Sequence, residues 1–270
     1  MPDELRTDLN VRRAGRPSNE APTLFLLHGL TDSSAGWGPA VRRWQDDYCL
    51  LLVDQRGHGD SPRFTAAQLE GHPGDLLVED ALALLGQLGE SPVVVGHSLG
   101  GAVALEAAVR RPDLVRTLVL EDPAPLGPDE PQHRPERGAE LVDSLADSVA
   151  ASDDAALVAA RRRKHPTWTD DELLATGRAE QQTDRDFVAH GDWKPSSRWP
   201  DLFKELIVPA LVVSGDAPGE ICVDEEMERG TEQIGNPNLR LVRVTGAGHC
   251  VRRERPDRFY EVVEEFLATH

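Results

Sequence analysis

The feature that most narrows the possible folds is a ladder of short, almost wholly apolar runs separated by turn residues. The runs fall at 23–27 (TLFLL), 48–53 (YCLLLV), 92–95 (PVVV), 115–120 (VRTLVL), 209–214 (PALVVS) and 239–244 (LRLVRV). A strand with one wet face alternates polar and apolar residues, whereas a strand covered on both faces reads as an unbroken apolar run. Between the runs lie helix-length stretches at 75–88, 99–110 and 256–268. In the last of these, Phe259, Val262, Val263 and Phe266 recur at helical spacing, which marks a core-facing stripe. Strands alternating with helices predict an α/β chain with a mostly parallel, doubly wound sheet. A chain of 270 residues buries enough apolar surface to hold such a sheet without covalent staples.

One stretch breaks the alternation. From Pro123 to about Val208 the chain shows proline punctuation (PAPLGPDEPQHRP), then helix-like pieces around 139–163 and 170–189, and no clear strand. The expected organisation is a core built from 1–122 and 209–270, with 123–208 inserted as a helical cap, or lid. Open α/β sheets bind ligands beyond the carboxyl ends of their strands, so that is the edge such a cap should cover.

Charge and cysteine content remove several classes of function. The 47 acidic and 29 basic side chains leave a formal net charge of −18, which repels nucleic acid and anionic membrane surfaces. The expected partner is therefore a small-molecule substrate, with no nucleic acid and no membrane; oligomeric state leaves no sign in the sequence. The first residues, MPDELRTDLNVRRAG, carry no apolar signal core, and no run approaches the ~18 apolar residues of a membrane span. A cytoplasmic protein is expected. Cys49, Cys222 and Cys250 are an odd set without a short-range pairing pattern. Neither a CxxC pair nor an HExxH helix is present, so no metal and no cofactor is expected.

The strongest chemical signal is Gly96-His97-Ser98-Leu99-Gly100, followed by Gly101. This G-x-S-x-G sits between an apolar run (VVV) and a helical stretch (AVALEAAV), the strand–turn–helix setting that gives the motif meaning. Glycines permit a turn too tight for side chains, which leaves the serine exposed at the sheet edge. The helix that begins at Leu99 aims its free N–H groups and positive dipole end at the same spot. Ser98 is thus the candidate nucleophile; the bland alternative is an ordinary glycine-rich turn. His97 lies too near in sequence to be aimed at Ser98 and reads as a pocket or packing residue.

With this motif in place the chain resembles the α/β-hydrolase family over nearly its whole length. The supporting pieces are His28-Gly29-Leu30-Thr31, Asp54-Gln55-Arg56-Gly57-His58-Gly59-Asp60-Ser61, the GHSLGG elbow and Gly246-Ala247-Gly248-His249, in the family's order. An unperturbed hydroxyl needs a positioned base. The resemblance puts that base at His249, in a glycine-flanked loop after the last apolar run. A carboxylate must then hold the histidine's other N–H. Most family members place it in a Gly-x-x-Asp after the run that here reads PALVVS. This chain has Gly215-Asp216-Ala217-Pro218, with proline where the acid is expected. Haloalkane dehalogenases and some small bacterial esterases, which resemble this chain, carry their acid at the spacing of Asp122, 24 residues after Ser98. Asp122 is therefore the first choice and Asp216 the alternative. Glu121 should face the other way, because side chains alternate along a strand.

The resemblance also implies an oxyanion hole from the backbone amides of Leu30 and Leu99. Gly29, Thr31, Trp37 and His97 are candidate pocket residues, although Trp37 reads equally well as an anchor for the next helix. The run DQRGHGDS reads as a structural turn tied down by Arg56. Trp168, Trp193 and Trp199 in the insert suit an apolar substrate chamber, or simply the packing of the insert.

Ser98 excludes the aspartate-nucleophile branches of the fold. The expected activity is that of a serine hydrolase, a carboxylesterase or lactonase acting on a small, largely apolar substrate through an acyl-enzyme. The alternatives on the same residues are a thioesterase or carbon–carbon bond hydrolase. A third is a hydrolase-fold ligand receptor with slow single turnover.

Overall fold

The computed structural model describes residues 5–217 and 221–270. Its centre is one seven-stranded sheet: β1 (Val11–Gly15), β2 (Thr23–Leu27), β3 (Cys49–Val53), β4 (Val93–His97), β5 (Thr117–Glu121), β6 (Ala210–Gly215) and β7 (Leu239–Val244). The strands lie in the order β1-β3-β2-β4-β5-β6-β7, and β1 alone is antiparallel to its neighbour. Strands β2 to β6 are buried along their whole length, as their unbroken apolar runs require.

Alternate residues feed two separate cores. Phe25, Leu27, Leu51, Val94, Leu118 and Val212 face one side, under the helices Pro73–Leu85 and Leu99–Arg110. Leu24, Leu26, Leu50, Val95, Val119 and Val213 face the other, where Trp37, Trp44, Phe259 and Val263 cover them. The period of two is the pleat itself.

Both edges differ from their interior neighbours. The sequence reading contains no β1, because VRRAG has no apolar run; its Arg12 and Arg13 are exposed on an outer strand. Strand β7 has an apolar run, yet only Val244 in it is fully buried.

The sheet order places the site. The chain winds outward from β2 to β3, then crosses back over β2 to lay down β4. The winding therefore reverses between β2 and β4, and a crevice opens at their carboxyl ends.

Between β5 and β6 the chain makes helices Pro135–Ser144, Ala146–Ala150, Asp154–Arg162, Asp170–Gln182, Arg185–His190 and Trp199–Glu205. The expected piece 139–163 is broken in three. Asp153 caps the helix from Asp154, and Thr169 with Glu172 forms a capping box for the helix from Asp170. A buried ion pair, Arg161–Glu180, ties two of these helices together. No helix among the described residues is long and apolar enough to cross a membrane.

Candidate active site

Among the described residues, the non-glycine residues with positive φ are Thr31 (65°), Ser98 (53°) and Asp122 (37°). Each follows the carboxyl end of a strand, respectively β2, β4 and β5. This region is strained for a residue with a Cβ and persists only where the surroundings enforce it. Three such residues at one sheet edge mark the place where geometry has been favoured over backbone comfort.

The surroundings of Ser98 are fixed on all sides. Its N–H donates to the Glu121 carbonyl at 3.0 Å, and its own carbonyl accepts from Ala102 and Ala124, each at 3.0 Å. A Cβ on Gly100 would lie 2.4 Å from the Leu27 carbonyl oxygen, so only glycine lets the following helix seat against β2. Leu99 is the first residue of that helix, and its N–H has no intrahelical acceptor.

The loop after β2 is held from beneath. Asp32 is buried against Arg253 at 2.7 Å and Arg252 at 3.5 Å. His28 accepts from the Gln55 backbone N–H at 3.0 Å. Asp54 takes the N–H groups of Ser34 and Asp60, and Arg56 is tied to Asp80 at 2.8 Å. The DQRGHGDS turn thus braces the loop carrying Leu30 and Thr31.

Asp122 is fully buried and meets the histidine: Oδ2 is 2.5 Å from Nδ1 of His249. The same oxygen accepts from the Cys222 backbone N–H at 2.8 Å. Oδ1 accepts from the Ser214 hydroxyl at 2.5 Å and the Val223 N–H at 3.1 Å. Asp216 does something else. It is exposed, and its Oδ1 accepts the Gly246 N–H at 2.7 Å, bracing the turn that leads to His249. Pro218 lies outside the described residues. Glu121 faces away from Asp122 and receives the Arg252 backbone N–H at 2.8 Å, so adjacent carboxylates anchor the histidine loop from opposite sides.

Burial alone would lower the His249 pKa. The neighbouring Cys222 sulfur, 3.7 Å from Nδ1, and the Asp122 carboxylate overcome this and raise it well above 6.5. His97 moves the other way. Burial, with Arg252 nearby, holds it well below 6.5, and its Nε2 donates to the His249 carbonyl at 3.2 Å.

Asp122, Cys222 and His249 offer ligand atoms within 4.8 Å of one another, a spacing a soft cation could use. Both Asp122 oxygens, however, already accept two donors each, so the arrangement serves the histidine before it serves an ion.

Ser98 and His249 line a cavity of about 450 Å³ with Leu30, Thr31, Leu99 and Cys222. The insert contributes Arg134, Arg137, Leu141, Trp193 and Lys194 to the same wall. The other pocket expectations need correction. Trp37 is fully buried in the core, with the Arg252 guanidinium 4.3 Å above its ring, so it anchors rather than lines. Gly29 packs under the elbow, where a Cβ would come within 2.9 Å of His97 Nδ1. His97 is buried behind His249. Trp168 stacks on His165, and Trp199 packs on Phe203; of the insert's tryptophans, Trp193 lines the cavity. Sequence reasoning missed Cys222, Ser214, Arg134, Arg137 and Lys194, none of which stands in a local motif.

The sequence model of the alpha/beta hydrolase family matches residues 24–262. The chain is 27% identical to a 2-(acetamidomethylene)succinate hydrolase of Mesorhizobium japonicum, across 97% of this chain and 92% of that protein. It is 27% identical to the mouse sn-1-specific diacylglycerol lipase ABHD11, across 92% and 81%. The crystal structure of an E-2-(acetamidomethylene)succinate hydrolase superposes with a TM-score of 0.77 at 25% identity, covering 96% of this chain and 95% of that one.

Proposed function

The chain belongs to the alpha/beta hydrolase family and is a hydrolase of small substrates; from that premise we propose that it is a serine hydrolase cleaving an ester or lactone. The observation that carries the reading is the 2.5 Å contact of buried Asp122 with His249, on the wall of the cavity that Ser98 also lines. His249 takes the Ser98 hydroxyl proton as the oxygen attacks the carbonyl carbon. Asp122 keeps the Nδ1 proton in place, leaving Nε2 free to act as base, and stabilises the imidazolium that forms. Charge collecting on the carbonyl oxygen meets the backbone amides of Leu30 and Leu99, two residues that line the cavity with Ser98. His249 then protonates the leaving group, and the acyl-enzyme is released by water through the same steps in reverse.

Residues 123–208 serve as the cap in this reading. Support comes from the side chains they place on the cavity wall, between Arg134 and Lys194. A cap of this kind excludes water and chooses the substrate. An amide is the second reading to test, since the Mesorhizobium relative is named for an acetamido-bearing substrate.

The test is a panel of p-nitrophenyl esters, lactones, thioesters and N-acyl amides with wild type and Ser98→Ala. Multiple turnover by wild type is expected, with a loss of about 10⁴–10⁶ in kcat on substitution. Retention of more than about a tenth of the activity by Ser98→Ala would refute the serine mechanism. A single slow turnover in wild type would indicate a receptor.

A further inference from the structure

The cavity beside Ser98 is lined at odds with the chain that carries it. The protein has 47 acidic against 29 basic side chains, yet the charged residues of this wall are Arg134, Arg137 and Lys194, with no Asp or Glu among the described lining residues. One carboxylate behind the wall answers two of these cations. Lys194 Nζ lies 2.8 and 2.9 Å from the Glu130 oxygens, and Arg134 Nη2 lies 2.6 Å from one of them. Burial pushes the Glu130 carboxyl up, but Lys194 and Arg134 outweigh it and hold the group below its ordinary value. Glu130 is thus fully ionised at neutral pH and still leaves positive charge over.

Arg134 meets Glu130 through Nη2, and its guanidinium lies 5.9 Å from the ring of Trp193, with which it lines the cavity. Arg137 lies three residues on, in the first turn of the helix that Arg134 precedes, and among the described residues its partner is Glu140. Both side chains are more than half exposed there, at 56% and 66%, so the pair is weak and easily exchanged. Cations facing a partly enclosed apolar wall call for an anion. The general field of a chain at −18 repels one, so recognition has to come from these local groups.

Building on the serine-hydrolase reading, we propose that the substrate carries a free carboxylate. Arg134 and Lys194 hold it, with Arg137 at the mouth, while the ester or amide of the same molecule faces Ser98. The substrate class is then the half-ester or half-amide of a short dicarboxylic acid, or the lactone of a hydroxy-dicarboxylic acid that keeps one carboxylate free. Leu141, Trp193 and Ile221 cover its hydrocarbon part. A guanidinium fork and an ammonium suit a carboxylate through charge-assisted hydrogen bonds, and a neutral acyl chain gives them nothing.

The experiment compares 4-nitrophenyl hydrogen adipate and pimelate with their methyl-capped diesters, which differ only in the terminal charge. Wild type should favour the acids by about 10–100-fold in kcat/KM, the effect of one charge-assisted hydrogen bond or two. That ratio should fall towards one in Arg134→Gln and Lys194→Gln, and partly in Arg137→Gln, whose exposed position leaves folding untouched. Equal or better turnover of the capped esters by wild type overturns the carboxylate proposal while leaving the hydrolase reading intact; the cations then only tie the insert's loops together. A second arm needs no catalysis. Dicarboxylates from succinate to pimelate are titrated calorimetrically into Ser98→Ala, and into the same protein with Arg134→Gln or Arg137→Gln added. Binding weakened by those changes supports the site even if no ester is turned over, a result that would count against the hydrolase reading alone. Absence of binding by every dicarboxylate overturns the site.

Discussion

Replacing Asp122 with asparagine tests the reasoning where the chain departs most from the common pattern. The substitution keeps shape and exchanges one acceptor oxygen for an NH2. Asp122 accepts four donors, two at each oxygen, and two of the four are backbone N–H groups that cannot turn away. If the NH2 takes the Oδ2 place, it faces the Cys222 N–H and forces His249 to present a bare Nδ1. The ring proton then sits on Nε2, where it blocks removal of the Ser98 proton. If the NH2 takes the Oδ1 place, Ser214 can rotate its hydroxyl but the Val223 N–H is stranded. Either orientation leaves one buried donor unsatisfied, which costs about 1–3 kcal/mol of stability. The first also imposes the wrong tautomer, which lowered kcat by about 10⁴ in the serine-protease precedent. The expected outcome is a folded protein with a reduced melting temperature and kcat/KM down by about 10²–10⁴, depending on the orientation adopted. Calorimetric melting and steady-state kinetics on one p-nitrophenyl ester measure both. Asp216→Asn touches only an exposed brace on Gly246 and should cost about two- to fivefold, the equivalent of one ordinary hydrogen bond. Near-wild-type kinetics in Asp122→Asn, or a larger loss in Asp216→Asn, would refute the assignment.

The remaining predictions concern the histidine, the elbow and the thiol. Since the folded-state pKa of His249 is raised and the base must be neutral, kcat/KM should climb with pH through a midpoint above 6.5, and Asp122→Asn should move that midpoint down. The same shift means that the stability contributed by the charged pair is complete below the unfolded value of 6.5 and is lost as pH rises through the folded value; a midpoint at or below 6.5 contradicts both statements. In Gly100→Ala the new methyl would meet the Leu27 and His28 carbonyl oxygens at 2.4 and 2.5 Å, so a loss of about 3 kcal/mol or more is expected in urea unfolding, and an unchanged midpoint would show that the elbow tolerates a side chain. Iodoacetamide should inactivate the protein through Cys222, which lines the cavity 3.7 Å from His249, and Cys222→Ala should resist; equal inactivation of both would place the reactive thiol elsewhere.

What could be read from the sequence follows from which constraints are local. Covered strands must be apolar at every position, so β2 to β6 announce themselves, whereas β1 has a wet side and two arginines and shows nothing until Val11 pairs with Val53. The elbow is legible because close backbone approach permits only glycine at Gly96 and Gly100. The proposed acid is a harder case, since Asp122 and Asp216 each come directly after the last residue of a strand, β5 and β6 respectively. What separates them is the number of donors aimed at each carboxylate, and those donors come from Ser214, Cys222, Val223 and His249, between 92 and 127 residues along the chain from Asp122. No local pattern encodes such a meeting. The same holds for Arg134 and Lys194, which join across sixty residues only through Glu130 and the folding of the insert. Yet the backbone carries a trace of these distant demands. Asp122 keeps a φ of 37° beside Ser98 at 53°, and a strained carboxylate next to a strained hydroxyl persists only where long-range contacts outweigh the cost. At Asp122 those contacts are its hydrogen bonds to Cys222, Val223, Ser214 and His249. The group that fixes the histidine is thereby also the one that closes the end of β5 against the loops after β6 and β7. Its removal should loosen the fold and the chemistry together, whereas loss of Asp216 should relax only the turn at Gly246.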